Sequence, residues 1–180
     1  MPQKSDVKQL VNVGIIAAFA TLSFIGTLVI RIPIPATGGY FNLGDTFVMI
    51  AALLYGPFIG AAVGFIGPAL ADAVGYPQFI LATAIVKGLE GLLVGWIGGR
   101  SAGASMMKPV IALAAGIVVI VIGYFVFEAA IYPLLGKAIP FFKVTTTEAA
   151  IAELFPNFLQ GLISALIAFG IWRVFRGRAK

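Results

Sequence analysis

Cysteine and histidine are both absent from this chain. Without cysteine there can be no disulfide, thiolate metal site or thiol nucleophile. Without histidine the commonest metal ligand and general base is missing too. Charge is scarce: Asp, Glu, Lys and Arg make up 11% of the 180 residues, against about one quarter in a soluble domain. No Gly-x-x-x-x-Gly-Lys-Ser/Thr loop occurs, so the chain cannot hold ATP by that device. The usual nucleophile–base pairs cannot be built from these residues. No catalytic residue, metal site or cofactor is therefore expected, and an enzyme is the last reading to consider.

What is present is apolar. Hydrophobic residues make up 61% of the chain and the mean hydropathy is +1.06. This composition defines an all-α integral membrane protein, and the length suits one domain over residues 1–180. The net charge of +5 does not point to nucleic acid, because the basic residues sit at the ends of apolar runs. No cleavable signal is expected: the first apolar run is long enough to span, and no small-residue cleavage site follows it.

Measured against the roughly 20 residues needed to cross a bilayer, the apolar runs predict a bundle of six transmembrane helices. Their approximate spans are 11–30, 42–54, 58–74, 79–99, 110–132 and 149–172. The breaks fall at "RIPIPATGGY", "YGP" and "GYP", where proline and glycine interrupt the pattern. The second and third spans are short, which suggests tilted or partly buried helices. Six spans put both termini on one side. Lys4, Lys8, Arg100, Lys108, Arg173, Arg176, Arg178 and Lys180 then share that side, whereas Arg31, Lys137 and Lys143 fall opposite. Eight against three predicts cytoplasmic termini in the cell membrane.

The stretch "ATAIVKGLEGLLVGWIGG", residues 82–99, carries Lys87 and Glu90 inside an apolar run. A charge at the bilayer centre costs several kcal/mol, about 3 on insertion scales. In the predicted topology Lys87 lies roughly 12 Å below the outer surface and Glu90 near the midplane. Tyr124, Glu128 and Tyr132 recur every four residues on the fifth helix, and Glu153, Asn157 and Gln160 form a stripe on the sixth. Asp72 ends the third helix, followed by Tyr76 and Gln78; the loop after helix one brings Tyr40, Asn42 and Asp45. The polar groups thus gather in the outer half, as a small-molecule cavity would require. Lys87 is expected to pair with Asp72 and so fix the cavity wall, although a purely structural pairing with Asp72 or Glu90 explains it as well. Glu90 is either a pocket-floor acceptor or a packing group. Glu148 and Glu153 are expected to be solvated caps, and the tyrosines suit interface anchoring equally.

Small residues form two further patterns. Gly56, Gly60 and Gly64, like Gly91, Gly95 and Gly99, recur at intervals that let helix backbones approach, and packing of helices three and four is the expected use. Gly14, Ala17, Ala18 and Thr21 form a stripe on helix one that docks either on the bundle or on a partner. No internal repeat of the kind a solitary secondary transporter uses is evident. A capture protein driven from elsewhere is the leading reading. A self-contained channel or proton-coupled carrier using Glu90 and Glu128, and a ligand-free scaffold, are the alternatives.

The six-helix plan, the stretch "IPIPATGGYFNLGDTFVMIAALLYGP", the "IGPALADAVGY" after it and the "KGLEGLLVG" of helix four together resemble the substrate-specificity subunits (S components) of energy-coupling factor (ECF) vitamin transporters. The resemblance covers nearly the whole chain and points to the riboflavin-type branch, which includes vitamin B6 and hydroxymethylpyrimidine proteins. It implies a vitamin bound from outside, in the outer halves of helices four to six under the loop after helix one. It also implies a transmembrane coupling (T) subunit and two ATPase subunits that hydrolyse the ATP. The family's Ala-x-x-x-Ala coupling contact falls on Gly14 and Ala18, where glycine departs from the pattern but stays small. The candidate substrate contacts are Tyr40, Asn42, Asp45, Tyr76, Gln78, Lys87, Glu90, Tyr124, Glu128, Asn157 and Gln160. Carboxylates with one paired lysine argue against anionic vitamins. Tyrosines for stacking and Glu128, Asn157 and Gln160 for hydrogen bonds suit pyridoxine or hydroxymethylpyrimidine, with riboflavin the larger alternative.

Overall fold

In a computed structural model the described residues are 3–35, 38–99, 106–142 and 145–178. Arg100, Lys143 and Lys180, part of the Lys/Arg tally above, lie outside them. Helix α1 spans Lys4–Val29 and leads into a short hairpin, β1 (Ile32–Ile34) and β2 (Gly39–Phe41). Helices α2 (Gly44–Tyr55) and α3 (Pro57–Ala73) follow, then a 3₁₀ turn (Pro77–Phe79) and α4 (Ile80–Gly98). Helix α5 (Met107–Val126) runs through a π-helical turn (Phe127–Ile131) into α6 (Tyr132–Ala138). A 3₁₀ turn (Pro140–Phe142) precedes α7 (Thr147–Arg178).

Four helical stretches are long and apolar enough to cross a membrane, at Ser5–Val29, Pro77–Gly98, Met107–Ala138 and Thr147–Phe175. In hydrocarbon the backbone has no water to bond, so each stretch must satisfy its own N–H and C=O groups as a helix. Large apolar side chains accordingly face outward, among them Phe58, Trp96, Val29 and Leu10. Helices α2 and α3 are the shorter apolar pair. The 12 residues of α2 extend only about 18 Å, well short of a bilayer core. That helix is instead enclosed: Val48, Met49, Ala51, Ala52 and Leu53 are all buried.

The element boundaries depart from expectation in three places, one of them the end of α7, which runs six residues past residue 172 to Arg178. Helix α1 begins seven residues before Val11, at Lys4. The fifth span does not stop at residue 132 but continues through the π turn to Ala138, so much of the expected 133–147 loop is helix. Other boundaries follow the turn chemistry. Gly56 takes φ +93°, a left-handed conformation open to glycine, and its N–H caps the Ala52 carbonyl at 2.9 Å. Pro57 then starts α3, where a missing N–H costs nothing.

The glycines at Gly56, Gly60 and Gly64 meet those at Gly91, Gly95 and Gly99 in backbone contact between α3 and α4. A Cβ at Gly91 would lie 2.1 Å from the Gly60 carbonyl oxygen, and one at Gly64 would lie 2.0 Å from that of Lys87. The spacing serves packing, as the sequence suggested. The stripe on α1 behaves differently: Gly14, Ala17, Ala18 and Thr21 are all exposed, and a Cβ at Gly14 would meet nothing within 4 Å. It does not dock on the chain's own bundle. At one end the bundle is filled by an apolar core containing Met49, Leu53, Val94, Leu113, Ile120 and Trp172.

The contrast between the two glycine sets is testable. Gly64→Ala should lower the melting temperature of the detergent-purified protein markedly, consistent with an overpacking cost of about 1–3 kcal/mol. Gly14→Ala should leave it unchanged or slightly raised. Equal melting of both variants would mean that α3 and α4 do not approach this closely.

Candidate functional site

The polar side chains converge on a single enclosed space beneath the hairpin. Its walls are Thr27 from α1, Gly39 and Tyr40 from β2, Asn42 after it, Pro68 and Asp72 from α3, and Phe79 from the 3₁₀ turn. Thr83 and Lys87 of α4, Tyr124 of α5, Glu128 of the π turn, and Glu153, Asn157 and Gln160 of α7 complete it. The cavity is tight, about 30 Å³.

Its floor is an ionic network. Lys87 Nζ lies 2.7 Å from Asp45 Oδ1 and 3.8 Å from Glu90 Oε2, with all three residues fully buried. The ammonium also sits 5.1 Å from the centre of the Tyr124 ring, on the attractive face of an aromatic quadrupole. Gln160 Nε2 donates to Asp45 Oδ2 at 2.8 Å, and Gln160 Oε1 accepts from the Asn42 backbone N–H at 2.8 Å. Asn42 Oδ1 in turn accepts from the Gly44 N–H at 2.9 Å, which ties the first turn of α2 to the network. The expected Lys87–Asp72 pair is therefore corrected to Lys87–Asp45. The cause is the short α2, whose N-terminal turn dips into the bundle and sets Asp45 beside the middle of α4.

The roof is aromatic. Pro33 pairs with Tyr40 across the hairpin, and the Tyr40 ring lies 4.4 Å from that of Tyr76. The Arg31 guanidinium lies 4.9 Å from the Tyr40 centroid and 5.2 Å from that of Tyr76, and it donates to the Ala71 carbonyl. Tyr40 Oη donates to Asp72 Oδ1. Burial, with the Asp72 carboxylate beside it, raises the Tyr40 phenol well above its usual value, so it remains a donor. Asp72 thus latches the roof rather than neutralising Lys87.

On the remaining wall the π turn sets the side chains. Thr145 Oγ1 donates to the Glu128 carbonyl at 2.7 Å, satisfying a backbone group where the helix widens. Tyr124 and Glu128 reach the cavity, and Tyr124 Oη lies 3.1 Å from Thr83 Oγ1. Tyr132 does not share their face. The widened turn rotates it into an aromatic cluster with Phe79, Phe127 and Phe142. Glu153 hydrogen-bonds both Glu128 and Asn157 and is buried, so it is no solvated cap. Glu148 is exposed, as a cap would be.

Of the sequence candidates, Tyr40, Asn42, Lys87, Tyr124, Glu128, Asn157 and Gln160 line the cavity. Asp45 and Glu90 lie behind its floor on the lysine. Tyr76 braces the roof, and Gln78 is half-buried in the 3₁₀ turn whose Phe79 forms wall. Thr27, Gly39, Pro68, Phe79 and Thr83 were not singled out; small, apolar or singly polar residues carry no signal of their own in an apolar run.

A polar cavity within an apolar-surfaced helical bundle is the construction of a membrane-embedded binding protein. A family model described as "ECF-type riboflavin transporter, S component" matches residues 4–176. The chain belongs to that family, and is a vitamin-binding transporter subunit rather than an enzyme. It is 35% identical over 154 residues to an uncharacterized protein in the gap 3′ region of Pyrococcus woesei, covering 84% of this chain and 93% of that one. It is also 35% identical over 98 residues to a UPF0397 protein of Streptococcus agalactiae, covering 54% of this chain and 52% of that one. A UPF0397 protein of Clostridium perfringens is 34% identical over 94 residues, with 52% and 49% covered. The chain spans about half the length of these UPF0397 relatives.

The floor network predicts strong coupling. Lys87→Met leaves Asp45 and Glu90 without their cation, and breaking a buried pair this way costs about 3–5 kcal/mol. Asp45→Asn in the same molecule should restore much of that loss in thermal melting. Additive effects of the two substitutions would show that the residues do not interact.

Proposed function

We propose that this chain is the high-affinity vitamin-capturing subunit of an ATP-driven ECF importer, taking a small aromatic vitamin from outside the cell. The observation that carries the reading is the polar cavity beneath a tyrosine roof, in a bundle whose outer surface is apolar. A single ring, pyridoxine or hydroxymethylpyrimidine, suits this lining, with riboflavin the larger alternative. Tyr40 and Tyr124 offer stacking surfaces, and Glu128, Asn157 and Gln160 offer hydrogen bonds.

In this reading six helical segments lie in the membrane with both termini cytoplasmic, supported by the excess of Lys and Arg on that side. Energy comes from a T subunit and two ATPase subunits. The α1 stripe is the docking face for the T subunit. Its support is exposure together with smoothness: Thr21 Oγ1 bonds back to the Ala17 carbonyl at 2.8 Å, leaving no free polar group on the face.

Mass spectrometry of small molecules released from the gently purified protein tests the first claim. Pyridoxine or a pyrimidine would support the class and the ring size; riboflavin would keep the class and overturn the ring size. An empty protein that no vitamin stabilises, or one that transports unaided in liposomes, would overturn the reading. For the docking face, Ala18→Trp should abolish co-purification with the T subunit and vitamin uptake, while vitamin binding by the lone subunit stays within about twofold. Retained uptake would place the contact elsewhere.

A further inference from the structure

The charges around the cavity do not balance. Lys87, the one ammonium in its wall among the described residues, is engaged by Asp45 at 2.7 Å and Glu90 at 3.8 Å. Arg31 is held outside the lining, on the roof tyrosines and the Ala71 carbonyl. Three carboxyl groups face the space itself: Asp72, Glu128 and Glu153. Asp72 accepts from the neutral Tyr40 hydroxyl. Glu128 and Glu153 hydrogen-bond each other, which requires at least one of them to hold a proton, so the pair carries at most one negative charge. Glu128 is fully buried, and its Oε2 has no hydrogen-bond partner among the described residues. A buried carboxyl oxygen left unmatched is costly, and an incoming cationic hydrogen-bond donor would both satisfy it and face the acidic pair.

We propose that the cavity selects a cationic aromatic ligand, whose ammonium group or protonated ring nitrogen is received by Glu128 Oε2. This rests on the cavity being the vitamin site and adds the charge of what enters it. Glu153 is the positioning residue: bonded to Asn157, it holds the Glu128 carboxyl against the cavity. The Tyr124 and Tyr40 rings supply faces attractive to a flat cation. The Lys87 ammonium, already neutralised, does not repel it.

Two matched ligand pairs test the proposal at pH 7 on the purified full chain: pyridoxamine against pyridoxine, and 4-amino-5-aminomethyl-2-methylpyrimidine against its 5-hydroxymethyl counterpart. Each pair differs in an ammonium group replacing a hydroxyl. Isothermal titration should show the aminomethyl member of at least one pair binding tenfold or more tightly than its partner. Glu128→Gln, nearly isosteric, should bring the ratio of the two affinities close to one, whatever it does to the affinity of either member alone. The wild-type comparison stands even if the variant does not fold. Equal or tighter binding of the neutral member, or binding of only riboflavin or an anionic vitamin, would overturn the cation preference and leave the vitamin-binding function intact. Absence of binding by any vitamin would overturn both.

Discussion

One ammonium group between two carboxylates, deep in an apolar bundle, is the constraint on which the rest of the site depends. Lys87 is accommodated there by Asp45 and Glu90 beside it and by Tyr124 over one side. Asp45 can stand there only because α2 is too short to span and begins inside the bundle. Its position is transmitted outward through Gln160 to Asn42 and so to the base of the hairpin. Floor and roof are therefore coupled through a continuous set of hydrogen bonds linking α2, α4, α7 and the chain just after β2.

Close packing makes this network possible. Helices α3 and α4 meet backbone to backbone through glycines, which holds Lys87 at the depth where Asp45 can reach it. In lipid no hydrophobic force drives helices together, so van der Waals contact of this kind and buried polar bonds must do so. Helix α1 packs on α2 and α3 through one side only, where Ser23 donates to the Gly44 carbonyl, and its small stripe faces away from the bundle. The cavity and the exposed small-residue stripe of α1 therefore lie on different faces of the bundle.

The helical plan was legible because bilayer hydrocarbon permits few alternatives to long apolar helices, and the breaks at "YGP" and "GYP" carry their own turn chemistry. Much of the cavity wall was legible for a related reason: a polar residue in an apolar run is rare enough to stand out, as with Lys87, Glu128, Asn157 and Gln160. Pairing was not legible. Asp72 and Asp45 are both single aspartates near helix ends, and nothing in their local sequence says which one meets Lys87. Glu153 read as a solvated cap because it lies in the second turn of α7, yet the hairpin side of the bundle buries it against Glu128. The π turn carries no sequence mark, so the regular four-residue rhythm placed Tyr132 on the wrong face.

The sequence by itself determined the solvent of this protein, the segments that cross or enter it, and the residue types available for binding, because hydropathy and turn chemistry act locally. Only the tertiary structure decided which aspartate pairs with the lysine, which tyrosines form the roof and which glutamates face the cavity. Those outcomes depend on where a short helix starts and how far a widened turn rotates, and such offsets of a few ångströms arise from contacts between distant segments.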